Sequence, residues 1–363
     1  AVGTLFNSLF GFEYHTAMII GAVVIIAYTV MGGFLAVSTT DLVQSIFMTA
    51  ALIVVVCFGV SKAGGVDAVL ENARSLPGYL NLTQGYDVAT GSAASFGTLS
   101  IFSTLAWGLG YFGMPHILLR FMAIREEKEL NLSRRIATVW VVISMAIAIA
   151  IGVIGLAVTK AGSIPFLGSS AEAETIIIQL ANLMSQHGFL LIIAAGIIIS
   201  GILAATMSTA DSQLLAAASS VSQDLMQDFF GIKLSAKTTM LVARATVLVI
   251  AVISIFLAWD PNSSVFRVVS FAWAGFGAAF GPVVLFALFW KRSNKWGALA
   301  GMVSGGVMVF VWKYLIAPMG GAWSIYELLP AFLVASVAIV VVSLLTPAPE
   351  KTIVDEFEAV RGK

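Results

Sequence analysis

Nine stretches of this chain are apolar for long enough to cross a lipid bilayer, and no other feature limits its fold as much. A crossing helix needs about 20 consecutive apolar residues. The runs lie at 16–36, 41–61, 96–121, 136–159, 188–212, 238–259, 264–290, 297–317 and 328–346. Lipid gives the backbone no hydrogen-bond partner, so each run must satisfy its own amides as a helix. Only 10% of the residues are charged, against about 25% in soluble domains. The expected class is an all-α polytopic membrane protein seated in a lipid bilayer.

Several functions are excluded early. The formal net charge is zero, which argues against a nucleic-acid partner. The one cysteine, Cys57, sits in an apolar run and reads as inert packing. His15, His116 and His187 are too far apart in sequence for metal-ligand spacing, so zinc and haem have little support. There is no Gly-x-Ser-x-Gly elbow, no phosphate loop ending in Lys-Ser/Thr and no paired catalytic carboxylates. The chain is not expected to be an enzyme, and nothing in it implies an obligate protein partner.

Basic residues set the orientation. Arg120, Arg125, Lys128, Arg134 and Arg135 follow the third run, and Lys233 and Lys237 the fifth. Lys291, Arg292 and Lys295 follow the seventh, and Lys351, Arg361 and Lys363 the ninth. The opposite loops hold only Lys62, Arg74 and Lys160. The ends of odd-numbered runs, and the C-terminus, are therefore expected on the cytoplasmic side. With nine crossings the N-terminus then lies outside. The chain opens "AVGTLFNSLFGFEYHT", with no initiating Met and no signal peptide. The expectation is a fragment whose upstream helices are missing.

Two outer loops carry helical signals. Val66, Val69, Leu70 and Ala73 share one helical face, which predicts a short surface helix ending at Pro77. In "SSAEAETIIIQLANLMSQHG", Ser170 is the expected cap, with Glu172 and Glu174 in the first turns. This second helix either covers an entrance or is a solvated loop.

The third run is unusual. "TLAWGLGYFGMPHILLRF" places Gly108, Gly110, Gly113 and Pro115 within eight residues. Glycine lowers helix propensity, and proline removes a backbone donor and clashes one turn back. A kink or unwound stretch is predicted at mid-membrane. Irregular backbone at that depth survives only where protein buries it or it lines a cavity. Trp107 and Tyr111 flank the break at i, i+4, on one helical face. A functional site and a packing kink are both open readings. The seventh run, "SFAWAGFGAAFGPVVLFALFW", and Gly301, Gly305 and Gly306 in the eighth, read as tight helix packing through small residues.

The fifth run ends in "ILAATMSTADSQLL". Ala205, Ser208, Thr209 and Ser212 share a face at i, i+3, i+4, i+7. Neutral hydroxyl and carbonyl oxygens suit a small, hard, monovalent cation better than Zn²⁺ or Ca²⁺. The competing reading is that each hydroxyl bonds back to a carbonyl one turn earlier. Asp41 and Asp211 are the only acids close to a helix interior. Intramembrane acids are functional candidates, but both lie near helix ends where water reaches. Asp41, after "STT", is equally placed to be the N-cap of the second helix.

At these residues the chain resembles a known family. "YTVMGGFLAVSTTDLVQ", "GLGYFGMPHILLRFMA", "ILAATMSTADSQLL" and "AWAGFGAAFGPVVLF" are similar to the solute:sodium symporter family, most of all its bacterial sodium/proline symporter branch. The resemblance runs from the first run to the ninth. It implies an inverted-repeat, LeuT-like fold of thirteen helices, of which the nine here are the last. Residues 16–61 would then close the first repeat, 96–290 form the second, 297–346 add two helices, and 347–363 form a cytoplasmic tail. The whole would be one transmembrane domain in a bacterial plasma membrane.

The resemblance also implies sodium-driven uptake of L-proline, with Na⁺ as the coupling ion. Ala205 through its carbonyl, and Ser208 and Thr209 through their hydroxyls, resemble the family's sodium ligands. Trp107 and Tyr111 match its substrate-side aromatics, and Pro115 a residue that shapes that helix. Asp41 matches an acid tied to sodium-dependent transport, and Asp211 and Ser212 fall where some members hold a second sodium. Two alternatives stay open: another solute on the same scaffold, such as pantothenate, a sugar or an organic acid, and a transporter-like sensor domain.

Overall fold

The computed structural model describes residues 2–87, 90–261 and 263–361. In chain order the helices are α1 (Val2–Phe10), α2 (Tyr14–Lys62), α3 (Val66–Ser75), α4 (Thr98–Ala106), α5 (Pro115–Met122), α6 (Leu130–Lys160) and α7 (Ser170–Ala173). They continue with α8 (Ile176–Ser185), α9 (Phe189–Ser219), α10 (Ala236–Leu257), α11 (Val265–Phe289), α12 (Lys295–Val311), α13 (Leu328–Leu345) and α14 (Lys351–Arg361). One antiparallel hairpin, β1 (Gln84–Asp87) and β2 (Ser92–Ser95), pairs Gln84 with Ser95 and Asp87 with Ser92.

Seven spans among the described residues are long and apolar enough to cross a membrane, which makes this a multi-pass membrane protein. The expected second, fourth to sixth, and seventh to ninth runs are all among them. The other two differ for identifiable reasons. The third run is not one helix, because its backbone breaks between α4 and α5. The first run is joined to the second: α2 is continuous over 49 residues. Both expected runs therefore fall within one helix: among the described residues Val37–Lys62 is long and apolar enough to cross, whereas Tyr14–Ala27 is a shorter apolar segment.

This continuity corrects one expectation. Asp41 is not an N-cap, because residues 36–40 are already helical. The Thr40 hydroxyl donates to the Val37 carbonyl at 2.8 Å, so this polar side chain is absorbed into the helix by back-bonding. The capping carboxylate stands at the other end. Glu13 accepts from the amides of His15 (3.0 Å) and Thr16 (2.7 Å) at the start of α2. The second outer helix is likewise capped one residue earlier than expected. Ser169 accepts from the Glu172 amide, and Glu172 accepts from the Ser169 amide, both at 3.2 Å. The reciprocal box needs its acid three residues after the cap, which selects Ser169 over Ser170.

The chain forms two compact units. The first comprises residues 1–76 and 124–265. Its core joins Val55 of α2, Ile151, Ile154 and Val158 of α6, Leu180 and Met184 of α8, and Ile198 of α9, all buried. The predicted surface helix is α3, whose Val69 and Ala73 are buried. The second unit comprises residues 77–123 and 266–363. Ala274 and Ala278 of α11, Val309 of α12 and Leu328, Ala331 and Phe332 of α13 form its core. The small residues of α11 and α12 allow close approach where they face a neighbour. A Cβ at Gly305 would collide with the Ala278 carbonyl, whereas Gly275 and Gly306 meet nothing within 4 Å.

Candidate functional site

The polar end of α9 lies in the first unit. Its 31 residues run well past the expected end at 212, because "LLAAAS" after the hydroxyls favours helix. Ser208 and Thr209 both donate to the Ala205 carbonyl at 3.1 Å, and Ser212 donates to the Ser208 carbonyl at 2.9 Å. The hydroxyls are thus back-bonded, and three neutral oxygens gather around Ala205. A hydroxyl that points its hydrogen at the carbonyl turns its lone pairs outward. For the carbonyl itself to meet a cation, those two donors must swing away.

Asp211 belongs to a different face. At 100° per residue it stands about 200° from Thr209. The structure agrees: Asp211 is 0% exposed while Thr209 is exposed. The Thr29 hydroxyl of α2, itself 2% exposed, lies 2.5 Å from Asp211 Oδ1 and 2.7 Å from the Ile25 carbonyl. Asp211 is therefore not wetted at a helix end, as one sequence reading had it. Asp41, inside α2, keeps Oδ1 out of solvent. On α2, Thr29 precedes Asp41 by twelve residues.

The break in the third run lies in the second unit. α4 ends at Ala106, a 3₁₀ stretch covers Trp107–Gly113, Met114 is extended, and Pro115 opens α5 at its first turn. Proline suits that position because its missing amide has no helical partner there. Trp107 and Tyr111 lie inside the break rather than flanking it. With three residues per turn, four residues apart means about 120° apart, so they do not share a face. The Trp107 ring is half-buried and nearly parallel to three others: Phe266 (5.5 Å), Trp273 (5.3 Å) and Tyr326 (6.2 Å). Tyr111 is 48% exposed and meets Trp273 edge-on at 4.8 Å. The Trp273 indole N–H donates to the Trp107 carbonyl at 2.9 Å.

The glycines of the break have distinct duties. A Cβ at Gly110 would collide with the Trp273 indole. One at Gly113 would collide with the Phe276 carbonyl. Gly108 meets nothing. Tyr326 braces the same cluster: its amide donates to Ser103 Oγ at 3.0 Å and its hydroxyl to the Ser270 carbonyl at 2.6 Å. Burial, and secondarily the charge of Glu327, push the Tyr326 phenol well above its usual range, so it stays a donor. Trp273, Tyr326 and Thr29 escaped the sequence reading. "AWAGFG" displayed Trp273 among small residues, but no local pattern marks Tyr326 or Thr29.

The chain is thus a largely helical, multi-pass membrane protein in which one crossing is broken and another carries a polar, hydroxyl-rich end. The fold matches that of a solved Na⁺-coupled sialic acid symporter in a substrate-bound, outward-open state. The TM-score is 0.70 at 16% identity, over 95% of this chain and 70% of that one. The family model "Sodium:solute symporter family" matches residues 1–305. The high-affinity proline transporter PutP of Bacillus subtilis is 42% identical over 98% of this chain and 70% of its own length. The sodium/proline symporter of Haemophilus influenzae is 43% identical over 98% and 68%, and the osmoregulated proline transporter OpuE of Bacillus subtilis 39% over 96% and 67%. The chain belongs to the sodium:solute symporter family.

Proposed function

We propose that this chain performs sodium-driven L-proline symport in a bacterial plasma membrane, working inward with its C-terminus in the cytoplasm. The observation that carries this is the gathering of three neutral oxygens at Ala205, Ser208 and Thr209 in a chain whose relatives are named for proline transport. Neutral oxygens in small number favour a monovalent over a divalent cation. Sodium binding would turn the hydroxyls off the Ala205 carbonyl. The aromatic break supplies the solute wall, with Tyr111 offering exposed ring surface and Pro115 holding the start of α5. Asp211 and Ser212, and separately Asp41, are the candidates for further cation handling; the Asp211 carboxylate accepts from the Thr29 hydroxyl. In this reading residues 16–61 close one repeat, 96–290 make its inverted partner, 297–346 add two helices and 347–363 form the tail.

The energetics suffice. One sodium entering through 100 mV contributes about 2.3 kcal/mol, which supports a solute gradient of roughly 50-fold at 1.4 kcal/mol per tenfold. Because occupancy by one ligand raises affinity for the other reciprocally, the two sites separate experimentally only when each is titrated with the other ligand saturating. In the intact transporter, Ser208→Ala or Thr209→Ala should raise the sodium concentration for half-maximal proline uptake about tenfold, with proline recognition at saturating sodium little changed. Unaltered sodium dependence would sink the ion assignment. Competition of labelled proline by pantothenate, a sugar or an organic acid tests the solute.

A further inference from the structure

We propose that Trp273 is a positioning residue for the solute wall, acting on Trp107 and Tyr111 from α11; the inference rests on the reading of those two aromatics as substrate-side. Three contacts from one side chain converge on the break. The indole N–H donates to the Trp107 carbonyl at 2.9 Å. The ring lies nearly parallel to that of Trp107, at 14° and 5.3 Å. The same ring meets Tyr111 at 83° and 4.8 Å, the edge-to-face geometry that the aromatic quadrupole favours.

The break explains why such a brace is needed. A 3₁₀ stretch has poorer hydrogen-bond geometry than an α-helix and seldom lasts beyond three or four residues. Here it lasts seven. The carbonyl at its first residue sits where the α ladder gives way to 3₁₀ pairing, and the Trp273 indole supplies it with a donor from another helix. That bond fixes the rotation of the stretch about its axis. That rotation sets where Tyr111 points. The chain has also made room for the indole: Gly110, between the two aromatics, has no Cβ, and one there would collide with the indole nitrogen and carbon atoms. Trp107 already lies parallel to rings of α11 and Tyr326, so Tyr111 is the ring with surface to spare for a solute. Trp273 therefore governs solute affinity through the backbone and rings of the break.

The test is Trp273→Phe in the intact transporter in membrane vesicles. It keeps a ring and removes the donor. The expected result is a rise in proline KM of about fivefold, equal to one net hydrogen bond of about 1 kcal/mol. Maximal velocity per transporter and the half-saturating sodium concentration at saturating proline should stay within twofold. A merely structural role would lower velocity per cell through expression and leave KM unmoved, and that result overturns the proposal. So does a sodium requirement that rises along with KM. Should the Phe variant fail to reach the membrane, 3-benzothienylalanine at position 273 removes the N–H at nearly constant shape and is scored in the same way. If the unaltered transporter shows no sodium-dependent proline uptake, the functional reading fails. If it does and Trp273→Phe matches it, only the positioning role fails.

Discussion

Substituting alanine at two glycines of the same broken segment should have opposite consequences. Gly108 and Gly113 are five residues apart, both in the 3₁₀ stretch, and neither has a positive φ. Backbone strain is therefore not at issue, and the difference is space. Around Gly108 nothing lies within 4 Å of an added Cβ. At Gly113 the Cβ would collide with the Phe276 carbonyl oxygen and lie 2.7 Å from the Gly281 amide nitrogen and 2.9 Å from the Gly277 Cα. Carbon prefers neighbours at about 3.5–4.0 Å, so the segment must retreat by close to 1 Å. The obstacles are backbone atoms of α11 and cannot rotate aside. Overpacking of this kind costs about 1–3 kcal/mol. Alanine recovers about 0.4–1 kcal/mol at either site by restricting the unfolded chain. Gly108→Ala should thus be neutral or slightly stabilising, and Gly113→Ala destabilising by about 1–2 kcal/mol net. The alanine gain is common to both, so at roughly 2–4 °C per kcal/mol for large domains the two purified variants should differ in melting temperature by about 2–12 °C at one scan rate. Equal melting temperatures would refute the claim that α11 sets the distance of the break by backbone contact.

Two further outcomes follow from polar contacts in the first unit. Thr29→Val removes the donor to a carboxylate with no solvent access and should destabilise by about 1–3 kcal/mol, while Thr29→Ser retains the hydroxyl and should restore most of the loss; a Val variant as stable as the Ser variant would contradict the pairing. Glu13 is held at about 2, from an ordinary 4.5, first by the amides of His15 and Thr16 and then by the Thr16 hydroxyl. A depressed acid stabilises above its unfolded pKa and loses that contribution as pH falls through the folded value. The melting difference between the unaltered protein and Glu13→Ala should therefore be full above about pH 4.5 and vanish toward pH 2; an offset constant across that window would show that the cap is not the cause.

The bilayer made much of this fold legible. Crossings had to be apolar and helical, so runs such as 328–346 and 238–259 fell within a few residues of α13 and α10. The break was legible because Gly108, Gly110, Gly113 and Pro115 all oppose an α-helix. What failed was arithmetic that assumed an α period across the break, and with it the shared face of Trp107 and Tyr111. The continuity of α2 was hidden because polar "STTD" reads as a boundary, although hydroxyls that bond back let a helix pass through. Trp273 and Tyr326 could not be read as partners of Trp107. The bond from Trp273 spans 166 residues, and no local periodicity encodes a contact that distant.

The candidate ion face and the candidate solute wall fall in different compact units, so any coupling has to pass through joins in the chain or contacts that differ between states. One join is chemically marked. The chain passes from the first unit to the last segment of the second between Val265 and Phe266. On the first side, Glu174, which closes α7, accepts from Ser264 Oγ at 2.6 Å and from the Val265 amide at 3.1 Å. On the second side, Phe266 stacks on Trp107 at 5.5 Å and 9°. Two consecutive residues thus carry one contact to the end of α7 and one to the first aromatic of the break. A carboxylate held by a hydroxyl and an amide is a directional anchor, and a stacked ring pair resists tilting more than sliding.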